Sequence, residues 1–285
     1  MNRSHSILFN LGCGSSFAKG WRNFDISPIS PDVEYWHADE AIPATDCQVD
    51  VIYHSHILEH LNPSSGKNFL KECYRVLKKN GILRIVVPDL EQICHQYLKA
   101  IQRVDNGEKL SRFDATWMRL EIFDQMTRDS SGGGMEKFLK SDPPNSEFII
   151  NRCGEQVRSF FNKNNEQSEQ IQARRPPFHL RSKEFIQRTL NFNRFRNFFL
   201  KKLLGKADYS ALEYGRFSKC GELHKFMYDR ISIEEILRDI GFRNIIIQSH
   251  SQSLIPNLKE YGLDSTNFDK PRKPDSLYIE AIKPD

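Results

Sequence analysis

The sequence predicts a parallel α/β fold interrupted by a large, mainly helical insertion. Three observations carry this. Over the first ninety residues short apolar runs alternate with loops and helical patterns, the rhythm of strands joined by crossovers. Ile82 to Val87 is almost wholly apolar, as a strand covered on both faces should be. The same style resumes after residue 231, and the 144 residues between, 88–231, have another character.

Ile7 to Leu11 is a compact β-type run that Gly12-Cys13-Gly14 stops. Val33 to Trp36 reads as a short strand, and Val49 to Tyr53 as a β-branched one entering a His-rich turn. The spacing of Phe69, Leu70, Cys73, Tyr74 and Leu77 predicts a helix from Ser65 to Lys79. Lys78 and Lys79 suit the negative end of its dipole, and Gly81 is a left-handed stop. Pro88 ends the apolar strand that follows. In the insertion, helices are expected over Glu91–Val104 and Asp114–Arg128, followed by Ser130-Ser131-Gly132-Gly133-Gly134 and a basic stretch. From Ile171 to Lys206 ten Lys and Arg face Glu184 alone. Ser232, with Glu235 three residues on, reads as the capping box of a helix carrying Ile233, Ile236, Leu237 and Ile240, closed by Gly241. Ile245–Ile247 and Leu277–Ile279 are the last two strands. The chain thus divides into a core, 1–87 plus 232–285, and a helical insertion, 88–231, that would form the acceptor side.

Composition narrows the function classes. Across 285 residues, 41 Lys and Arg stand against 37 Asp and Glu, and the net charge of +4 argues against a nucleic-acid specialist. Apolar residues at 39% exclude wholesale disorder. No apolar run approaches the roughly 20 residues of a membrane span, and Met1–Ser6 lacks a secretory apolar stretch. Six cysteines without a CxxC spacing point to no zinc ribbon and no disulfide framework. The expectation is a cytoplasmic protein.

A strand, then Gly12-x-Gly14, then an acidic Asp25 ending a second short run is a nucleotide-binding arrangement. The glycines permit a tight turn and close backbone approach, and the Asp25 carboxylate would accept from ribose hydroxyls. The missing third glycine counts against a dinucleotide. Only ten residues separate Gly14 from Asp25, so the first helix must be a stub.

Here "LFNLGCG", "NFDISP", "YWHADEAIP", "VDVIYHSHILEHL" and "FLKECYRVLKKNGILRIVVPDL" together resemble the class I S-adenosylmethionine-dependent methyltransferases, in the type 11 branch. "HKFMYDRISIEEILRDIGFRNI" and "PDSLYIEAIKP" resemble that family's closing helix and last strands. The resemblance implies a Rossmann-like, mostly parallel sheet with its last strand antiparallel, and S-adenosylmethionine as cofactor. It implies that Leu11, Gly12, Cys13 and Gly14 form the first motif, that Asp25 meets the ribose, and that Asp39 with Glu40 meets the adenine. His54 would lie beside the methionine part. "FDATWMRLEIFDQMTRDSSGGGMEKFL" is similar to a segment of methyltransferases that accompany surface-polysaccharide and lipopolysaccharide synthesis. That implies a sugar hydroxyl of a surface glycan, or of its nucleotide- or lipid-linked precursor, as acceptor. A small natural product is the alternative acceptor, and a non-catalytic cofactor-binding partner protein the alternative class.

His54, His56, Glu59 and His60 crowd the end of the fourth strand, where ligands of open α/β sheets bind. On a helix starting near His56, His56, Glu59 and His60 would share a face. In one chemistry His56 takes the proton of the acceptor hydroxyl. In the other, His56, Glu59 and His60 ligate a divalent ion. Small-RNA 3′-end and ubiquinone-pathway methyltransferases have similar clusters that hold Mg²⁺, but His56 stands where their first carboxylate would, and imidazole suits Mg²⁺ poorly. The metal-free reading is therefore adopted. His224, just before the closing helix, is a second candidate base or substrate contact. Asp89, at the end of the fifth strand, would meet substrate or cap the next helix. The basic stretch 171–206 reads as a solvated face, with peripheral contact to anionic membrane head groups as the alternative. No nucleic acid is expected.

Overall fold

The computed structural model describes residues 6–154, 157–158, 161, 192–266 and 269–285. Residues 162–191, which hold His179 and much of the basic stretch, lie outside the described residues.

Seven strands form one sheet: β1 (Leu8–Leu11), β2 (Arg22–Asp25), β3 (Val33–Tyr35), β4 (Val49–Ser55), β5 (Leu77–Pro88), β6 (Arg243–Gln248) and β7 (Ser276–Ile282). Their order is β3-β2-β1-β4-β5-β7-β6. The pairs from β3 through β5 are parallel, and β7 runs antiparallel between β5 and β6. This is the Rossmann-like class I methyltransferase sheet that the sequence led us to expect. The order reverses between β1 and β4, so a crevice opens beyond their carboxyl ends, above Gly12 and His56.

Alternation along the strands feeds two cores. Phe9, Leu11, Phe24, Ile52, Ile85 and Ile279 pack on one face against α1 (Pro63–Val76) and a closing helix, Arg230–Ile240. In α1, Gly66, Phe69, Leu70, Cys73 and Val76 are buried at helical spacing, and Asn62 caps its start by accepting from Ser65 N at 2.9 Å. Val51, Tyr53, Val86 and Tyr278 face the other way, toward Ile255, Leu258 and Leu263 of the long β6–β7 connection.

Where the first crossover helix would stand there is only a turn. Buried Asn10 and Asn23 tie it down: Asn10 Nδ2 donates to Ser16 O and Asn23 Oδ1, and Asn23 Nδ2 to the carbonyls of Ala18 and Trp21. Two buried amides thus satisfy backbone groups that a helix would have paired.

Between β5 and the closing helix come α2 (Leu90–Asp105), α3 (Ser111–Thr127), α4 (Gly133–Lys140), α5 (Ser146–Cys153) and α6 (Phe192–Ser218), the last interrupted at Gly205. The first four share a small core of Ile93, Trp117, Met118, Leu139 and Ile149. The chain leaves and re-enters the sheet side by side, with Asp89 bridging Tyr228 and Leu90 N donating to Tyr228 O at 3.1 Å. The closing helix is α7 (Arg230–Ile240), and a short α8 (Leu258–Tyr261) lies in the β6–β7 connection.

Several helix boundaries differ from expectation, and two of them have a clear local cause. The first helix ends at Val76, not Lys79, because Leu77 is captured by pairing with Val49, and Lys78–Gly81 form an irregularity before pairing resumes at Ile82. The closing helix starts at Arg230, capped by Asp229, whose carboxylate accepts from Ser232 N at 2.7 Å while Ser232 Oγ accepts from Asp229 N at 3.0 Å. Ser232 is therefore the third helical residue of that box, not its cap.

Candidate active site

Three clefts meet at His56, which among the described residues is the one that lines them all. The largest, about 660 Å³, runs over the ends of β1 and β2 and is lined by Gly12, Asp25, Trp36, Asp39, Ile57 and His60, among others. The second, about 420 Å³, lies along the Gly12–Ser16 turn and reaches Tyr53, Ser55, Arg272 and Lys273. The third, about 180 Å³, opens toward the insertion and is lined by Glu121, Gln125, Met135, His224, Met227 and Lys273.

The glycine turn is built for a ligand's close approach. Gly12 and Gly14 have φ of 59° and 52°, in the left-handed region. A Cβ on Gly12 would collide with Ile57, whereas one on Gly14 would meet nothing within 4 Å. Asp25 Oδ2 accepts from Gly14 N at 2.8 Å and Oδ1 from Ser27 N at 2.9 Å, so each oxygen retains acceptor capacity toward the cleft. Trp36, Ile57 and Leu61 supply an apolar wall for a ring. A nucleoside-bearing cofactor with a charged tail fits these residues.

The candidates separate by where their side chains go. Gly12, Asp25 and Asp39 line the largest cleft, and Cys13 and Gly14 the second. Burial pushes the Cys13 thiol up to about 11, which removes it as a nucleophile. Three expected cofactor contacts have side chains that do not line the three clefts at His56. Leu11 is fully buried in the core, because strand alternation turns it inward. His54 is likewise fully buried, edge-on to Phe69 at 5.0 Å, with both ring nitrogens unpartnered. Glu40 does not line the largest cleft but an adjoining one, with Ser65, Asn68 and Glu72, that shares Ala38 and Asp39 with it. Asp89, expected on the acceptor side, lines none of the three clefts at His56 and caps α2 by accepting from Gln92 N at 3.1 Å.

His56 follows β4 with φ of 57°, uncommon for a side chain larger than Asn. No helix starts there; Leu58–His60 is a single 3₁₀ turn. The imidazole is nevertheless held at both nitrogens, Nδ1 3.0 Å from Glu59 Oε1 and Nε2 2.9 Å from Ser276 Oγ. Glu59 is fully buried, and beyond the His56 ring at Oε1 its carboxylate receives no hydrogen bond from the described residues. Burial alone would raise its carboxyl; the imidazoles of His56, His60 and His224 outweigh that and hold it down to about 2. Burial in turn holds the His224 imidazole down to about 4, against the pull of Glu59. Glu59, His60 and His224 bring one ligand atom each within 4.8 Å of one another. The sequence grouping of His56, Glu59 and His60 is thus replaced by one drawing on the insertion's return.

Lys225, Lys273, Ser276 and Glu121 were not foreseen. Lys225, Ser276 and Glu121 stand inside stretches whose resemblance was noted, but nothing in those stretches marked them for the site, and Lys273 lies outside them.

Residues 11–85 match the family described as Methyltransferase domain. No curated protein matches the chain. Among solved structures the chain is similar to one in the Haloferax volcanii complex between the Trm112 methyltransferase activator and a methyltransferase, at 12% identity over 99% of this chain and 84% of that one, TM-score 0.38. It is similar to a SAM-dependent methyltransferase from Archaeoglobus fulgidus, at 12% identity over 98% and 87%, TM-score 0.37. It is also similar to the DszA carbon methyltransferase, at 10% identity over 99% and 48%, TM-score 0.36. The fold assignment rests on the strand order, not on likenesses this distant. The matched segment and that strand order together support an S-adenosylmethionine-dependent methyltransferase.

Proposed function

We propose that the protein transfers a methyl group from S-adenosylmethionine to a hydroxyl oxygen, with His56 as the base. The carrying observation is the placement of His56: one imidazole borders the glycine-turn clefts and the insertion-side cleft while paired to a buried carboxylate. An imidazole oriented by a carboxylate is the arrangement of a general base. Gly12, Gly14, Asp25 and Asp39 would hold the cofactor, which when bound supplies an electrophilic methyl on a sulfonium. The protein's own tasks are to align the acceptor oxygen and to take its proton at His56.

A sugar is the acceptor we favour. The stretch resembling methyltransferases of surface-polysaccharide synthesis, residues 113–139, supplies Glu121, Gln125 and Met135 to the third cleft. That supports reading 88–231 as the acceptor side and a glycan or its nucleotide- or lipid-linked precursor as substrate. Contact of 171–206 with anionic head groups is proposed on charge alone, and liposome flotation at low and high salt tests it.

Calorimetric titration with S-adenosylmethionine, then release of S-adenosylhomocysteine with a glycan panel, tests the main reading. One cofactor should bind per chain, and His56→Gln should lose about 10²-fold or more in kcat with cofactor affinity kept. Absence of cofactor binding overturns the reading. Binding without turnover on any acceptor overturns the catalytic part and favours a partner protein.

A further inference from the structure

We infer that Glu59, His60 and His224 form a site for one divalent transition-metal ion of the zinc type. Their ligand atoms lie within 4.8 Å of one another. Tetrahedral bonds of about 2.0–2.2 Å to a shared ion need separations nearer about 3.3–3.6 Å, within reach of side-chain rotations. The cluster also contains unmet demand. Glu59 is fully buried, its Oε1 meeting the His56 ring at 3.0 Å while its Oε2 receives no hydrogen bond, and His224 Nδ1 is buried without a partner. A buried carboxylate and a buried ring nitrogen left this way are costly unless something joins them.

The surroundings prepare the ligands. His60 Nδ1–H donates to Leu223 O at 3.3 Å, because a carbonyl can only accept, and this leaves Nε2 with its lone pair free. His56 Nδ1, 3.0 Å from Glu59 Oε1, touches the carboxylate from outside the set and fixes its orientation. The two halves are zipped together by backbone: Lys225 N and Phe226 N both donate to Glu59 O, at 2.7 and 3.3 Å. Two imidazoles and one carboxylate select a transition ion over Mg²⁺ or Ca²⁺, which prefer all-oxygen sets. His60 faces the largest cleft and His224 the insertion-side cleft, so the ion stands in the wall between them. Its open positions would take an acceptor oxygen and polarise it. That role rests on the methyl-transfer reading; the binding does not.

The test uses the full chain, treated with a chelator and titrated with CoCl₂ while visible absorption is followed, then with ZnCl₂ in competition. One Co²⁺ per chain is expected, with d–d bands of a nitrogen-containing set and two shifted imidazole N–H signals in the proton NMR spectrum. His60→Ala and His224→Ala should each weaken binding at least 10²-fold, while His95→Ala, on the exposed face of α2, should leave it unchanged. Should a histidine variant fail to fold, the count of shifted imidazole signals in the unmodified chain decides. No bound ion, or binding that ignores both histidines, overturns the site. S-adenosylmethionine titrations on the same samples keep the two failures apart: cofactor binding without metal binding removes the ion and leaves the methyltransferase reading standing.

Discussion

The rings of His60 and His224 meet edge on, with centroids 4.8 Å apart and planes at 83°. One belongs to the turn after β4 and the other to the segment returning from the insertion. What holds them there is main chain: the Glu59 carbonyl accepts from Lys225 N at 2.7 Å. Lys225→Pro removes that donor and should cost about 2 kcal/mol in denaturant unfolding, a buried hydrogen bond plus its orphaned acceptor. Lys225→Ala keeps the N–H and should stay within about 0.5 kcal/mol. Equal costs for the two would show that the side chain, not the amide, makes the link.

Gly12 is required on two counts, a left-handed backbone and the closeness of Ile57. Gly12→Ala should cost about 1–3 kcal/mol of stability and weaken S-adenosylmethionine binding by at least tenfold in calorimetry. Ile57→Ala in the same chain relieves the collision but not the strain, so it should restore part of the affinity. Full restoration would mean that the left-handed φ carries no cost.

The sheet was legible in the sequence because its signals are local. The all-apolar Ile82–Val87 run, the Gly12-x-Gly14 stop and the stripe of Ile233 and Leu237 each report burial within a few residues. That Gly12, Asp25 and Asp39 come to line one cleft follows from equally local features, a turn and a strand end. The burial of His54 was not legible, because a histidine beside a cleft motif looks exposed to the ligand, while the covered sheet buries the side chains of both its faces. His224 and His60 could be named but not joined. Their meeting depends on how 88–231 packs and returns, which no spacing records. Lys273 and Ser276 reach the site on the β6–β7 connection and the start of β7; Ser276 opens a recognised strand stretch, but nothing there marks either residue for the site.

Arg84 lies across the sheet from Glu280 and is fully buried. Its guanidinium donates to Asp264 and Glu280 at 2.7 Å each and to the carbonyls of Ser249 and Gln252. Arg84→Leu leaves two buried carboxylates without their cation, and a cost of about 3–5 kcal/mol is expected in urea unfolding. The triple change Arg84→Leu, Asp264→Leu, Glu280→Leu should recover much of it, since a buried ion network roughly balances an apolar replacement of similar volume. A single-variant cost below about 1 kcal/mol would show that water reaches the network.

His54 makes the stability depend on pH in a calculable direction. Burial holds its imidazole down to about 4, with only a weak opposing pull from Glu59. The unfolded chain, near the ordinary value of about 6.5, therefore binds the proton more readily than the folded one. Stability contributed by neutral His54 is full above about pH 6.5 and falls as pH drops toward 4. The loss is about 1 kcal/mol at pH 5.5 and approaches about 3 kcal/mol near pH 4. His60 and His224 add to the same slope in the unmodified chain, so the informative quantity is a difference. His54→Leu keeps the volume and removes the titration, and at pH 7.5 it should be neutral or stabilising because both ring nitrogens lack partners. Urea unfolding at pH 7.5 and 5.5 reads both expectations: the variant should lose about 1 kcal/mol less than the unmodified chain between them. Equal losses would mean that His54 finds a proton partner in the folded state and is not the isolated core imidazole described here.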